Sequence, residues 1–183
     1  MLTPEDFYPD LAVWEGCFTW MYLDEKGLVT TGTGNLLPTA ASAAALEWWA
    51  GPRRATDAEA AAAWTAVKAQ KPNLLASYYA RFTTCRLTPT YAKDLALRRL
   101  QEEFLPGIRK LFPGFDGYPG PAQRVIVDDA YNEGLGSLAG FTRLRRACEA
   151  GDWKAATKEC VISTSRKKRN DWRQKLMGSL IVT

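Results

Sequence analysis

The chain opens on Thr3-Pro4-Glu5-Asp6. This reads as a helix start, with Thr3 as N-cap, proline at the first helical position and acids at the positive end of the helix dipole. Pro9 leaves two versions open, one helix kinked there or a second one beginning there. Both carry Leu11, Ala12, Val13 and Trp14 into Glu15 and stop at Gly16, the residue type expected just past a helix end. From Cys17 the pattern becomes two short aromatic and β-branched runs, Phe18 to Tyr22 and Leu28 to Thr31, around the polar Asp24-Glu25-Lys26-Gly27. That is the signature of a β-hairpin over 17–37.

Beyond residue 37 helical patterns dominate. Thr39 caps an alanine-rich helix expected to end near Trp49 and Ala50, and Thr56-Asp57-Ala58-Glu59 is a capping box opening a helix to about Gln70. Thr88-Pro89 starts another that runs to Phe104. Pro106-Gly107 and the stretch Phe112 to Pro121 read as breakers. Further helices are expected over about 121–133, 140–150, 153–161 and 166–180, with a break at Gly134 to Gly136. A single hairpin among many helices predicts an α+β, mostly helical fold: one domain over 1–183 with two lobes. The small lobe spans about 15–70 and holds the hairpin, and the helical lobe spans about 73–183 plus the N-terminal helix.

Composition narrows the chemistry. With 183 residues, 46% of them hydrophobic, the chain can bury a core without disulfide or metal support. It contains no histidine. Nucleophiles that need an imidazole base, His-ligated zinc sites and histidine pH switches are therefore excluded. Cys17, Cys85, Cys148 and Cys160 form no Cys-x-x-Cys pair and are expected to be free thiols. Carboxylates are the remaining agents of acid–base chemistry. Charge is also uneven, with six acids against Lys26 over residues 1–33 and eleven bases against four acids over 143–183. Such an asymmetry suits either an end-to-end match within the chain or a basic face for an anionic polymer. No apolar stretch is long enough to span a membrane, and the acidic start lacks the features of a signal peptide. The expectation is cytoplasmic synthesis with action elsewhere.

Glu15 at the helix end, Asp24 in the turn and Thr30 on the second strand are the polar side chains that a hairpin folding back over its preceding helix brings around one cleft. Two carboxylates across a cleft are the minimum equipment for glycoside hydrolysis. The run Glu15-Gly16, Tyr22-Leu23-Asp24, Gly27, Thr30, Gly32-Thr33-Gly34 and Leu36-Leu37 resembles, without a gap, the N-terminal catalytic motif of phage-type lysozymes, glycoside hydrolase family 24. A second stretch, Asp129 to Gly134 followed by Ala139-Gly140-Phe141-Thr142 and Gly151 to Ala156, is similar to that family's central helix and the two helices after it. The matches cover about half of the chain. One departure is Asn35, where family members commonly carry a histidine.

The resemblance implies a lysozyme-like fold and a muramidase that hydrolyses the β-1,4 bond between N-acetylmuramic acid and N-acetylglucosamine in peptidoglycan, with inversion. Glu15 would be the general acid, and Asp24 and Thr30 would hold the attacking water. Leu36, Tyr131, Asn132, Phe141 and Thr142 correspond to substrate-lining positions. Arg166 or Arg169 corresponds to an arginine that pairs with the catalytic glutamate. No cofactor or metal is implied.

The implied partner is bacterial peptidoglycan, met in the periplasm by a monomeric phage endolysin or by a delivered antibacterial effector with an immunity protein in its producer. Nucleic acid is not an expected partner of such an enzyme. The contrasting reading is a non-catalytic binder of cell-wall glycan or nucleic acid that uses the basic C-terminal helices.

Overall fold

The computed structural model of the chain describes residues 2–163, 165 and 167–181. Their fold is α+β and mostly helical, with two small antiparallel sheets of three strands each. The first helix, α1 (Pro4–Glu15), is continuous through Pro9. Glu5 and Pro9 are both exposed, so water can serve the carbonyl that the proline cannot. Asp6 closes the start by accepting from the Thr3 amide and hydroxyl, each at 2.8 Å. Gly16 ends the helix with φ +71°, a left-handed conformation that an L side chain adopts only under strain.

The chain divides into two compact units, residues 15–97 and residues 1–14 with 98–183. In the first, β1 (Phe18–Leu23), β2 (Val29–Gly32) and β3 (Asn35–Leu36) form a sheet in that order. The expected hairpin thus carries a third, two-residue strand, because the chain turns back at Thr33-Gly34 and pairs Asn35 with Thr31 and Leu36 with Thr30. One sheet face puts Met21, Leu23 and Val29 into the core. The other carries Tyr22, Thr30 and Leu36 in a row across the three strands.

The helix expected from Thr39 to about Ala50 is shorter than the alanine pattern suggests. Thr39 and Ser42 do form a reciprocal cap, but α2 (Ala40–Ala44) stops after five residues. Trp48 is 1% exposed and its indole donates at 2.7 Å to the Ala43 carbonyl in the last turn of α2, which also accepts from the Leu46 amide. The next residues form β4 (Trp49–Ala50), central in a second sheet between β5 (Arg53–Arg54) and β6 (Cys85–Arg86). The Thr56–Glu59 capping box opens α3 (Asp57–Lys68) as the sequence predicts. Two short turns follow, α4 (Ala76–Tyr79) and a 3-10 turn over Ala80–Phe82, and then α5 (Pro89–Arg99). This unit runs to Leu97 rather than to about residue 70, because Tyr79, Leu87, Ala92 and Leu95 are buried in the same core as Met21, Trp48 and Val67.

The second unit corrects the breaker at Pro106-Gly107. The chain stays helical through Leu100–Phe104, a π-helical segment in which the Leu105 amide reaches back to the Leu100 carbonyl, and continues as α6 (Leu105–Leu111). A widened turn directly before Pro106 lets the helix pass a residue that lacks an amide proton. Gly107 packs closely on the Leu135 side chain, which a larger residue there would have to displace. A Cβ there would lie 2.3 Å from a Leu135 methyl.

After a 3-10 turn at Phe115–Gly117, α7 (Gly120–Glu133) is the most buried helix, with nine consecutive-to-near residues from Ala122 to Tyr131 shielded from solvent. Gln123 near its start donates to the carbonyls of Phe115, Asp116 and Tyr118 and so pins the proline- and glycine-rich connection. The break at Gly134 to Gly136 is followed at once by α8 (Leu135–Ala139), and then come α9 (Thr142–Glu149), α10 (Trp153–Glu159) and α11 (Lys167–Gly178). Arg124 of α7 grips Asp10 of α1 with two bonds of 2.6 Å, and Trp14 stacks 5.7 Å from Trp172 of α11. Both chain ends therefore belong to this unit. Among the described residues no helix is long and apolar enough to cross a membrane.

Trp48→Ala should destabilise the protein by about 3–5 kcal/mol, from the cavity it leaves, since the Ala43 carbonyl keeps its bond from the Leu46 amide. A denaturant midpoint shift of that size, with secondary structure outside the 40–86 region retained, is the expected result.

Candidate active site

Glu15 is the last residue of α1, half-buried, with Oε1 shielded from solvent. The left-handed Gly16 turns the chain directly from this carboxyl into β1. Asp24 follows that strand and organises the turn. Its Oδ1 accepts from the amides of Lys26 at 2.9 Å and Leu28 at 2.8 Å, while its own amide and carbonyl bond Leu28 and Gly27. This is the local bonding that makes aspartate a turn residue, and it fixes the carboxylate in place. Thr30 lies on central strand β2, 4% exposed, directly opposite Tyr22 on one side and Leu36 on the other. Its hydroxyl donates to the Leu28 carbonyl at 3.2 Å. The three polar residues singled out in the sequence thus all lie in the 15–97 unit, at the mouth, turn and centre of one three-stranded sheet. Leu36, 43% exposed on the same sheet face, adds an apolar contact. Asn35 sits in the strand pair with Thr31.

The other expected substrate residues lie in the second unit. Tyr131 is packed against Phe104 at 4.9 Å between ring centres, and the Arg99 guanidinium stands 5.4 Å from its ring centre. It is a packed aromatic, 9% exposed. Asn132 donates to the Glu133 carboxylate at 2.7 Å. Phe141 and Thr142 line a shallow open depression of about 280 Å³ together with Arg143, Leu144, Glu159 and Val161. Arg166 lies outside the described residues. Arg169 is 6% exposed, and its guanidinium holds Asp128 with bonds of 3.1, 3.1 and 2.7 Å.

That last contact belongs to a buried charge cluster that residue patterns did not single out. Arg173, fully buried, donates from Nε to Asp128 at 2.6 Å, lies 2.9 Å from Asp129 and donates from Nη1 to Asn170. Asn170 in turn bonds both backbone groups of Ile162. The visible signal was two adjacent aspartates in an otherwise apolar helix, facing arginines spaced four apart on α11. Burial pushes the Asp129 carboxyl well above the usual carboxylate range; the Arg173 guanidinium opposes this and the Asp128 carboxylate adds to it. Burial likewise pushes the Cys148 and Cys160 thiols up to about 12. Both are free, as is exposed Cys17. The cluster is a structural device without open access: Asp128 bonds both guanidinium groups, while burial favours the protonated form of Asp129.

No protein-family model matches the chain, and no curated protein matches it.

Asp128→Ala would leave two buried arginines short of countercharge and should cost about 3–5 kcal/mol of stability. Asp129→Asn should behave differently. A carboxyl whose folded value is raised stays protonated in the fold while the unfolded chain ionises, so wild-type stability falls as pH climbs from the ordinary aspartate value of about 4 toward the raised one. Unfolding curves across that range should show the wild type losing stability relative to Asp129→Asn.

Proposed function

We propose that the chain is a peptidoglycan muramidase that cleaves the β-1,4 link after N-acetylmuramic acid by an inverting acid–base reaction. The observation that carries the reading is the placement of Glu15, Asp24 and Thr30 on one helix-to-sheet unit, with the Asp24 carboxylate immobilised through Oδ1 by two backbone amides. Local bonding that consumes one carboxylate oxygen leaves the other to hold a water, and a group fixed by its own turn needs no reorganisation when charge shifts. The gap-free motif spacing and the absence of histidine support the same chemistry.

In this reading Glu15 gives its proton to the glycosidic oxygen as the bond to the anomeric carbon breaks. A water held by Asp24 and the Thr30 hydroxyl attacks that carbon from the opposite face and passes a proton to Asp24. Atoms balance without a cofactor: one water is consumed, and the new reducing end is the α anomer. Tyr22 and Leu36, flanking Thr30 across the sheet, supply apolar surface for the sugar ring; Phe141, Thr142, Tyr131 and Asn132 are proposed as substrate contacts on the resemblance alone. Chemistry of this kind serves a phage endolysin or a delivered effector alike, each acting on the wall in the periplasm.

Wild-type protein should clear outer-membrane-permeabilised Gram-negative cells and release muropeptides with reducing N-acetylmuramic acid ends, while Glu15→Gln should lose on the order of 10²–10⁴ in rate with its fold intact. Proton NMR of the first product should show the α anomer before mutarotation. Unimpaired clearing by Glu15→Gln would overturn the assignment of the acid, and a β anomer would overturn inversion.

A further inference from the structure

The segment after α3 has a composition unlike the rest of the chain. Between Glu59 and Asp94 there is no acid, while Lys68, Lys71, Arg81, Arg86 and Lys93 give residues 60–93 a net charge of +5. Its most projecting part is Lys71-Pro72-Asn73-Leu74-Leu75, five consecutive exposed residues. Leu75 is 80% exposed and Leu74 38%. Neighbouring Leu28, in the turn that Lys68 holds through the Gly27 carbonyl at 2.7 Å, is another 38% exposed leucine. Exposed large aliphatic side chains in a stretch rich in cations are what an interaction surface presents, and the turn of Leu28 adds Asp24 and Glu25 at its edge.

The tip is built rather than loose. Asn73 takes a left-handed conformation with φ 63°, which turns the chain so that the two leucines follow at the apex. Buried Tyr79 donates its hydroxyl to the Lys71 carbonyl at 2.8 Å, and the Trp20 indole donates to the Ala76 carbonyl at 2.8 Å. Both ends of the protrusion are thereby fixed to the core of the 15–97 unit. Below it lie Tyr78 and Phe82, 5.4 Å apart between ring centres, with the Arg81 guanidinium 4.7 Å from the Tyr78 ring centre. Exposed leucines, half-buried aromatics and exposed lysine and arginine within one short stretch are the residue set that a lipid interface takes, from acyl chains to anionic headgroups.

We infer that the Lys71–Leu75 tip is a docking surface for an anionic phospholipid bilayer, with Leu74 and Leu75 entering the headgroup–acyl boundary while Lys68, Lys71 and Arg81 meet lipid phosphates. Two adjacent exposed leucines suit a fluid surface that closes around them, and the acid-free stretch 60–93 supplies the matching charge. Because the tip is held in advance, docking forfeits little conformational entropy. This goes beyond the muramidase reading and does not depend on it.

The test is flotation of the full chain with vesicles of phosphatidylglycerol and phosphatidylcholine against vesicles of phosphatidylcholine alone. Expected are binding to the anionic vesicles that weakens as salt rises, and a loss of affinity of about tenfold or more in Leu74→Asp/Leu75→Asp and in Lys71→Glu/Arg81→Glu. All four positions are exposed, so circular dichroism and the unfolding midpoint should stay at wild-type values. Absence of wild-type binding to anionic vesicles, or binding that both double variants leave unchanged, overturns the proposal. Concentration-dependent dimerisation abolished by Leu74→Asp/Leu75→Asp, without vesicle binding, would overturn it in favour of a second copy as occupant.

Discussion

Two adjacent carboxylates inside an apolar helix set a condition that the rest of the second unit has to meet. Asp128 and Asp129 are both removed from water, and an ion in that position is tolerated only with countercharge and hydrogen bonds arranged around it. Arg169 and Arg173, one helical turn apart on α11, answer Asp128 from the same side, and Asn170 between them ties the cluster to the backbone at Ile162. A hydrophobic contact would have tolerated a helix sliding or rotating by a few degrees. The paired forks do not, since each guanidinium bonds only in its own plane. The C-terminal helix is therefore registered against α7, and with it Trp172 against Trp14. Charge near one end of the chain is balanced within its own unit, which gives part of the basic C-terminal composition a structural purpose.

The 15–97 unit rests on weaker but more local bonding. Its turn is organised by Asp24, its helix starts by Thr39 and Thr56, and its core by two tryptophans whose indoles satisfy backbone carbonyls at Ala43 and Leu37. Each of these polar groups is half committed to structure. In the proposed acid–base chemistry, a carboxylate already held by amides on one oxygen presents the other in a fixed direction. The same unit carries the exposed Lys71–Leu75 stretch beside the Asp24–Leu28 turn, fixed by the Tyr79 hydroxyl and the Trp20 indole.

Where sequence reading and structure part company, the cause is a partner that the residue pattern does not name, in some cases distant along the chain and in others only a few residues away. Alanine propensity extends a helix from Thr39 toward Ala50, but a buried Trp48 and a strand contributed by Cys85–Arg86 take those residues into a sheet. Proline and glycine at 106 and 107 predict a break, yet a π-helical turn absorbs the proline and the glycine packs closely on Leu135. The third strand at Asn35–Leu36 is too short to announce itself and exists because Thr30 and Thr31 offer it a ladder.

Features written in bonds between near neighbours were readable before any coordinates: the capped helix starts, the Gly16 stop, the Asp24 turn, the mostly helical α+β class and the grouping of Glu15, Asp24 and Thr30 around one hairpin. They depend on side chains reaching backbone groups two to four residues away, and such bonds are set by residue type and spacing. Three things came only with the tertiary structure: the second sheet, the residue-97 limit of the first unit, and the Asp128–Arg169–Arg173 cluster that holds Arg169. Each joins segments thirty or more residues apart, and no local pattern encodes which of several buried partners a tryptophan, a short strand or an arginine will meet.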